Sequence, residues 1–94
     1  MADLLSDQEI EDRLAGSAWT READEIVREW QFDDFAAALA FVNRVGEVAE
    51  EANHHPDILL HGWNNVKLSL TNHSAGGLTA VDFEMAGRFD DLSA

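Results

Sequence analysis

All four histidines of this 94-residue chain, His54, His55, His61 and His73, lie between Glu50 and Asp82. An imidazole titrates near pH 6.5 when unperturbed, so it can give or take a proton at neutral pH. Two imidazoles facing one pocket make an acid/base pair. His54, His55 and His73, with the Glu50 carboxylate, are the candidate catalytic residues. Each also has an ordinary explanation: His54 at the end of a helix, His55 at the start of a strand, His73 in a loop. Three imidazoles and a carboxylate in one short stretch favour a site.

Other chemistry is open to some of these residues. Glu50 and His54 stand at i, i+4 on one helical face and His73 could add a third metal ligand. That spacing matches no common zinc pattern and the chain has no cysteine, so no metal is expected. Asp82 falls at the third position of a capping box, Thr79-Ala80-Val81-Asp82, and is expected to cap a helix rather than catalyse. Trp19 and Trp63 could stack on a flat heterocycle or be partly buried aromatics.

These residues need elements to hold them. Ser6-Asp7-Gln8-Glu9 is a capping box that predicts a first helix to about Ala15, stopped by Gly16. Trp19 lies in a short extended segment, Ser17 to Arg21. Glu25 to Phe32 alternates, with Ile26, Trp30 and Phe32 on one side, so the two segments read as a hairpin. Arg28 falls on the apolar side, its stem covered and its head reaching an edge.

Asp33 or Asp34 caps a long helix whose apolar positions Phe35, Leu39, Val42, Val45, Ala49 and Ala52 recur at helical spacing, widened by Ala38 and Phe41. Gly46 within it suggests close approach to a sheet. Pro56 ends the helix near Asn53, which can take the left-handed C′ conformation. Asp57 to His61 and Asn65 to Thr71 read as strands around a Gly62-Trp63-Asn64 turn, and Thr79 opens a last helix. The prediction is an α+β fold, α-β-β-α-β-β-α, a four-stranded antiparallel sheet with helices packed on one face.

The chain is short enough for a single domain, residues 1–94. Its net charge of −13, from 19 acidic and 6 basic residues, excludes direct nucleic-acid binding as an expectation, since phosphates are met by clustered Lys and Arg. A single Lys among so many acids is consistent with a solvated acidic exterior or with adaptation to high salt. Met1 to Asp7 lacks the cationic start and apolar stretch of a signal peptide, and no apolar run approaches the roughly 20 residues of a membrane span. A cytoplasmic protein with a small-molecule or protein partner is expected.

Taken together, Glu50, His54-His55-Pro56, Trp63, His73 and Asp82, in this order and spacing, resemble the signature of the pterin-4a-carbinolamine dehydratases. The resemblance extends through Trp30-Gln31-Phe32-Asp33-Asp34-Phe35 and Gly76-Gly77-Leu78-Thr79, and covers a core of about residues 4–92. It implies dehydration of 4a-hydroxytetrahydrobiopterin, or a related pterin, to quinonoid dihydropterin, as in tetrahydrobiopterin recycling. By the same resemblance His54 and His73 match the acid/base histidines, His55 and Glu50 help hold the substrate, and Trp19 lines the pterin site. It implies no metal or organic cofactor, and a homodimer or homotetramer. Asn53 stands where the family often has Asp, Trp63 where Tyr is commoner, and the stretch holding His61 and Gly62 is a residue longer than in animal members, which leaves His61 without a role. The alternative that the resemblance carries is a non-catalytic binding module, a transcriptional coactivator or an assembly factor.

Overall fold

A computed structural model describes residues 3–93. Met1, Ala2 and Ala94, part of the single domain expected over 1–94, lie outside the described residues. The elements follow in the expected order: α1 Asp7–Leu14, β1 Thr20–Glu22, β2 Glu25–Gln31, α2 Phe35–Ala52, β3 Asp57–His61, β4 Asn65–Leu70 and α3 Ala80–Leu92. The strands form one antiparallel sheet in the order β1-β2-β4-β3.

Local chemistry accounts for the boundaries. Ser6 Oγ accepts from the Glu9 N–H and the Glu9 carboxylate accepts from the Ser6 N–H, both at 3.1 Å, so α1 starts on a complete capping box. Gly16 follows it at φ +75°, a conformation glycine adopts without steric cost. Asp34 rather than Asp33 caps α2, its Oδ1 accepting from the Ala37 N–H at 2.7 Å. Asn53 closes α2 in the left-handed conformation at φ +52°.

The core lies between one face of the sheet and the helices. Ile26 and Trp30 of β2 and Val66, Leu68 and Leu70 of β4 meet Ile10, Phe41, Val45, Ala49, Met85 and Phe89. Alternation in β4 is complete, with Val66, Leu68 and Leu70 buried and Lys67 and Ser69 turned to the other face. Arg28 keeps to the expected compromise. Its guanidinium lies 4.4 Å from the Trp30 ring centroid, and one nitrogen donates to Asp90 Oδ1 at 2.6 Å.

Two expectations about α2 are corrected. Its buried face runs through Ala38, Phe41, Val45 and Ala49, while Phe35 and Leu39 are 50% and 42% exposed. The stripe that reaches the core is rotated from the predicted one, because the helix is apolar on more of its circumference than the sheet can cover. Gly46 faces no close neighbour, so no close approach explains it.

Candidate functional site

The site is assembled where the C-terminus of α2 meets the N-terminus of α3. Pro56 cannot continue a helix and restrains the residue before it, so the chain must leave α2 before His55. The left-handed Asn53 turns it, and the His54 N–H returns to the Ala49 carbonyl at 3.1 Å. This closure fixes the backbone from which both histidines project.

His54 Nε2 lies 2.7 Å from Asp82 Oδ1. Asp82 is fully buried, and its second oxygen, Oδ2, accepts from the Thr79 N–H at 2.9 Å, the contact expected of a helix cap. The carboxylate therefore has partners on both oxygens, His54 on Oδ1 and Thr79 on Oδ2. His54 is itself mostly covered, with 14% of its side chain exposed. Among the described residues no buried side-chain nitrogen or oxygen lacks a partner.

The other histidines divide by environment. His55 Nε2 pairs with Glu50 Oε2, both side chains largely exposed. Glu50 thus joins His55, not His54, although it stands at i, i+4 from His54. His61 Nε2 lies 2.5 Å from Glu29 Oε1, reaching across β4 to β2 on the open face of the sheet. His73 sits in the loop between β4 and α3, which an Asn72–Gly77 bridge closes and in which Asn72 Oδ1 accepts from the Ala75 N–H at 3.2 Å. No described residue hydrogen-bonds the His73 ring.

His73 opens into a cleft of about 470 Å³ whose other walls are Ala23 and Asp24 of the β1–β2 turn, Glu25 at the start of β2, Asp57 at the start of β3, Thr71, Gly76 and Gly77. Its volume suits a small organic molecule. Its walls are polar and apolar in about equal measure, and they do not include His54 or His55. The structure brings Pro56 to the lip of β3, next to Asp57.

The remaining expected site residues lie apart from this cleft. Trp19, expected to line the site, is 3% exposed, packs edge-on against Trp30 and donates its indole N–H to Asp90 Oδ1 at 2.8 Å. Its place is the core. Trp63 stands at the β3–β4 turn, 61% exposed and with φ +60°. Among the described residues no three His, Asp or Glu side chains gather as metal ligands would, and no helix is long and apolar enough to cross a membrane.

Sequence reasoning assigned Asp82 to the cap and His54 to the site but missed the bond between them. The available signal was the second oxygen. A capping carboxylate in a buried helix start uses one oxygen on the backbone, and burial of the other requires a donor.

A domain with a three-helix, four-strand α+β fold and a carboxylate-held histidine between two helix ends is what this chain presents. The sequence model of the pterin 4 alpha carbinolamine dehydratase family matches residues 3–92, and the chain belongs to that family. A relative from Roseiflexus sp. (strain RS-1), provisionally named a pterin-4-alpha-carbinolamine dehydratase, is 50% identical over 93 residues, spanning 98% of this chain and 99% of its own. The crystal structure of a transcriptional coactivator/pterin dehydratase from Brucella melitensis superposes with a TM-score of 0.91 at 27% identity, covering 98% of this chain and 100% of the other. A pterin dehydratase-like protein identified as a RuBisCO assembly factor in the alpha-carboxysome shares the fold, with a TM-score of 0.66 at 22% identity over 81% of this chain and 87% of its own.

Proposed function

We propose that the chain dehydrates a 4a-hydroxytetrahydropterin to quinonoid dihydropterin and water, with His54 and His73 as the acid/base pair. Family membership supports the reaction class, and the observation that carries the reading is the His54–Asp82 pair. In the reaction the C4a–O bond breaks while the N5–H proton leaves to a base, so that the N5 electron pair forms the N5=C4a double bond. A proton delivered to the departing hydroxyl completes one water. Imidazoles suit both transfers near neutral pH, and such assistance is worth about 10²–10⁴-fold.

In this reading His73 meets the ligand from the cleft, while His55 and Glu50, paired with each other, hold the substrate. Trp19 acts from the core, through the packing of Trp30 and β2. The chemistry requires neither metal nor organic cofactor. A stopped-flow assay with chemically prepared 4a-hydroxytetrahydropterin tests the proposal: the folded protein should accelerate dehydration, and a rate equal to the uncatalysed one removes it.

A second reading has its own observation. Phe35 and Leu39 on α2, Ile58 and Leu59 on the edge strand β3, and Trp63 are exposed apolar side chains, and an open strand edge invites pairing. These surfaces support self-association as a homodimer or homotetramer, or use as a binding module like the coactivator relative. Light scattering of the purified chain separates an assembly from a monomer. Recovery of one stoichiometric protein partner together with an inactive stopped-flow assay would favour the module.

A further inference from the structure

We propose that Asp82 is a positioning residue that holds neutral His54 in its Nε2–H tautomer, so that Nδ1 is the nitrogen that exchanges a proton with substrate. The inference rests on the dehydratase reading for its catalytic half and on geometry alone for its tautomeric half.

The geometry leaves little freedom. Asp82 Oδ2 accepts the Thr79 N–H at 2.9 Å and has the Thr79 hydroxyl at 3.4 Å, within the first turn of α3. Backbone donors at a helix N-terminus favour an anionic carboxylate. An anionic Oδ1 can only accept, so the nitrogen 2.7 Å from it must carry hydrogen. Nε2 is therefore the protonated nitrogen in neutral His54, and Nδ1 keeps the lone pair.

Nδ1 is also the accessible nitrogen. No described residue partners it, and no buried side-chain nitrogen is left unpaired among the described residues, so Nδ1 reaches the surface. A base at Nδ1 takes the N5–H proton and becomes imidazolium, with Nε2–H still on Asp82. Loss of that proton to water restores the starting state. Asp82 touches no substrate in this scheme and acts only through His54.

The same carboxylate starts α3, so the substitution that tests its role must keep the cap. Asp82→Asn keeps an oxygen for the Thr79 N–H but presents an amide N–H₂ toward His54, which can pair only if Nε2 is bare. The neutral tautomer should invert to Nδ1–H. Nitrogen-15 NMR of the full chain reads this directly, because protonated and bare imidazole nitrogens resonate far apart, and His54→Gln assigns the signals by their loss.

The expected result is a protonated Nε2 and bare Nδ1 in the wild type, inverted in Asp82→Asn. Dehydration should fall on the order of 10²-fold or more in the variant, with Asp82→Glu recovering part of the rate. A wild-type Nδ1–H tautomer overturns the proposal without any variant, as does unchanged turnover in a folded Asp82→Asn. A wild type with the expected tautomer but no dehydration removes the reaction, and with it the catalytic half alone. If Asp82→Asn does not fold, the wild-type tautomer and the turnover of Asp82→Glu decide.

Discussion

His54 and Asp82 are 28 residues apart in sequence and 2.7 Å apart in space, and the bond between them ties the end of α2 to the start of α3. The tie is also selective among the histidines. Three of the four are held through Nε2 by a carboxylate, but only the partner of His54 is buried. A buried carboxylate held on both oxygens fixes an imidazole orientation; exposed pairs exchange with water and are worth little.

That contrast separates the histidines in activity. His54→Ala and His73→Ala should each lower the dehydration rate by about 10²–10⁴-fold. His61→Ala should leave the rate unchanged and cost no more than about 1 kcal/mol of stability, the scale of an exposed pair. Stopped-flow rates and urea unfolding of the three variants check this, and loss of activity in His61→Ala would move the site to the open sheet face.

Asn53 places the histidine pair through its backbone. At φ +52° a residue with a Cβ is strained unless, like Asn, it tolerates the left-handed region. Asn53→Ala should cost about 1 kcal/mol, while Asn53→Gly should be close to neutral. Urea midpoints at unchanged slope measure both. Equal losses in the two variants would mean that the Asn side chain, not its conformation, matters.

Most of the architecture was legible because its signals are local. The Ser6 box, the Asn53-to-Pro56 exit and the alternation of β4 each depend on neighbours in sequence, and the structure shows each in place. What was not legible depends on partners that sequence spacing does not name. Glu50 lies on the face of α2 that His54 would share if the helix continued. The left-handed turn at Asn53 breaks that spacing and gives Glu50 to His55. Phe35 and Leu39 look like core because α2 is apolar over a wide arc, and only the width of the sheet decides which side is covered. Trp19 reads as a ligand platform by residue type, but it packs against Trp30 in the core and its indole N–H finds Asp90, distant in the chain.

Gly46 offers a gain in stability. It lies inside α2, where glycine costs about 1 kcal/mol relative to alanine. A Cβ built there meets nothing within 4 Å. Gly46→Ala should therefore raise stability by about 0.5–1 kcal/mol, read as a higher urea midpoint with the dehydration rate unaltered. A loss of stability would indicate that this face of α2 is covered by a second copy of the chain.

Asp90 links α3 to the sheet, and its worth can be dissected. Its Oδ1 accepts from the Trp19 indole at 2.8 Å and from Arg28 at 2.6 Å. Arg28 keeps its stacking on Trp30 and access to water when the carboxylate is removed, so the penalty should fall mainly on the buried Trp19 N–H. Asp90→Ala should cost about 1–3 kcal/mol, the penalty of leaving a buried donor without a partner. Trp19→Phe removes that donor along with part of the ring, so the double variant should be less destabilised than the sum of the two single ones, by about 1 kcal/mol. A double-mutant cycle by urea unfolding measures the coupling. Strict additivity would place the stabilising role of Asp90 in its contact with Arg28, and Arg28→Met in the same cycle would then show the coupling instead.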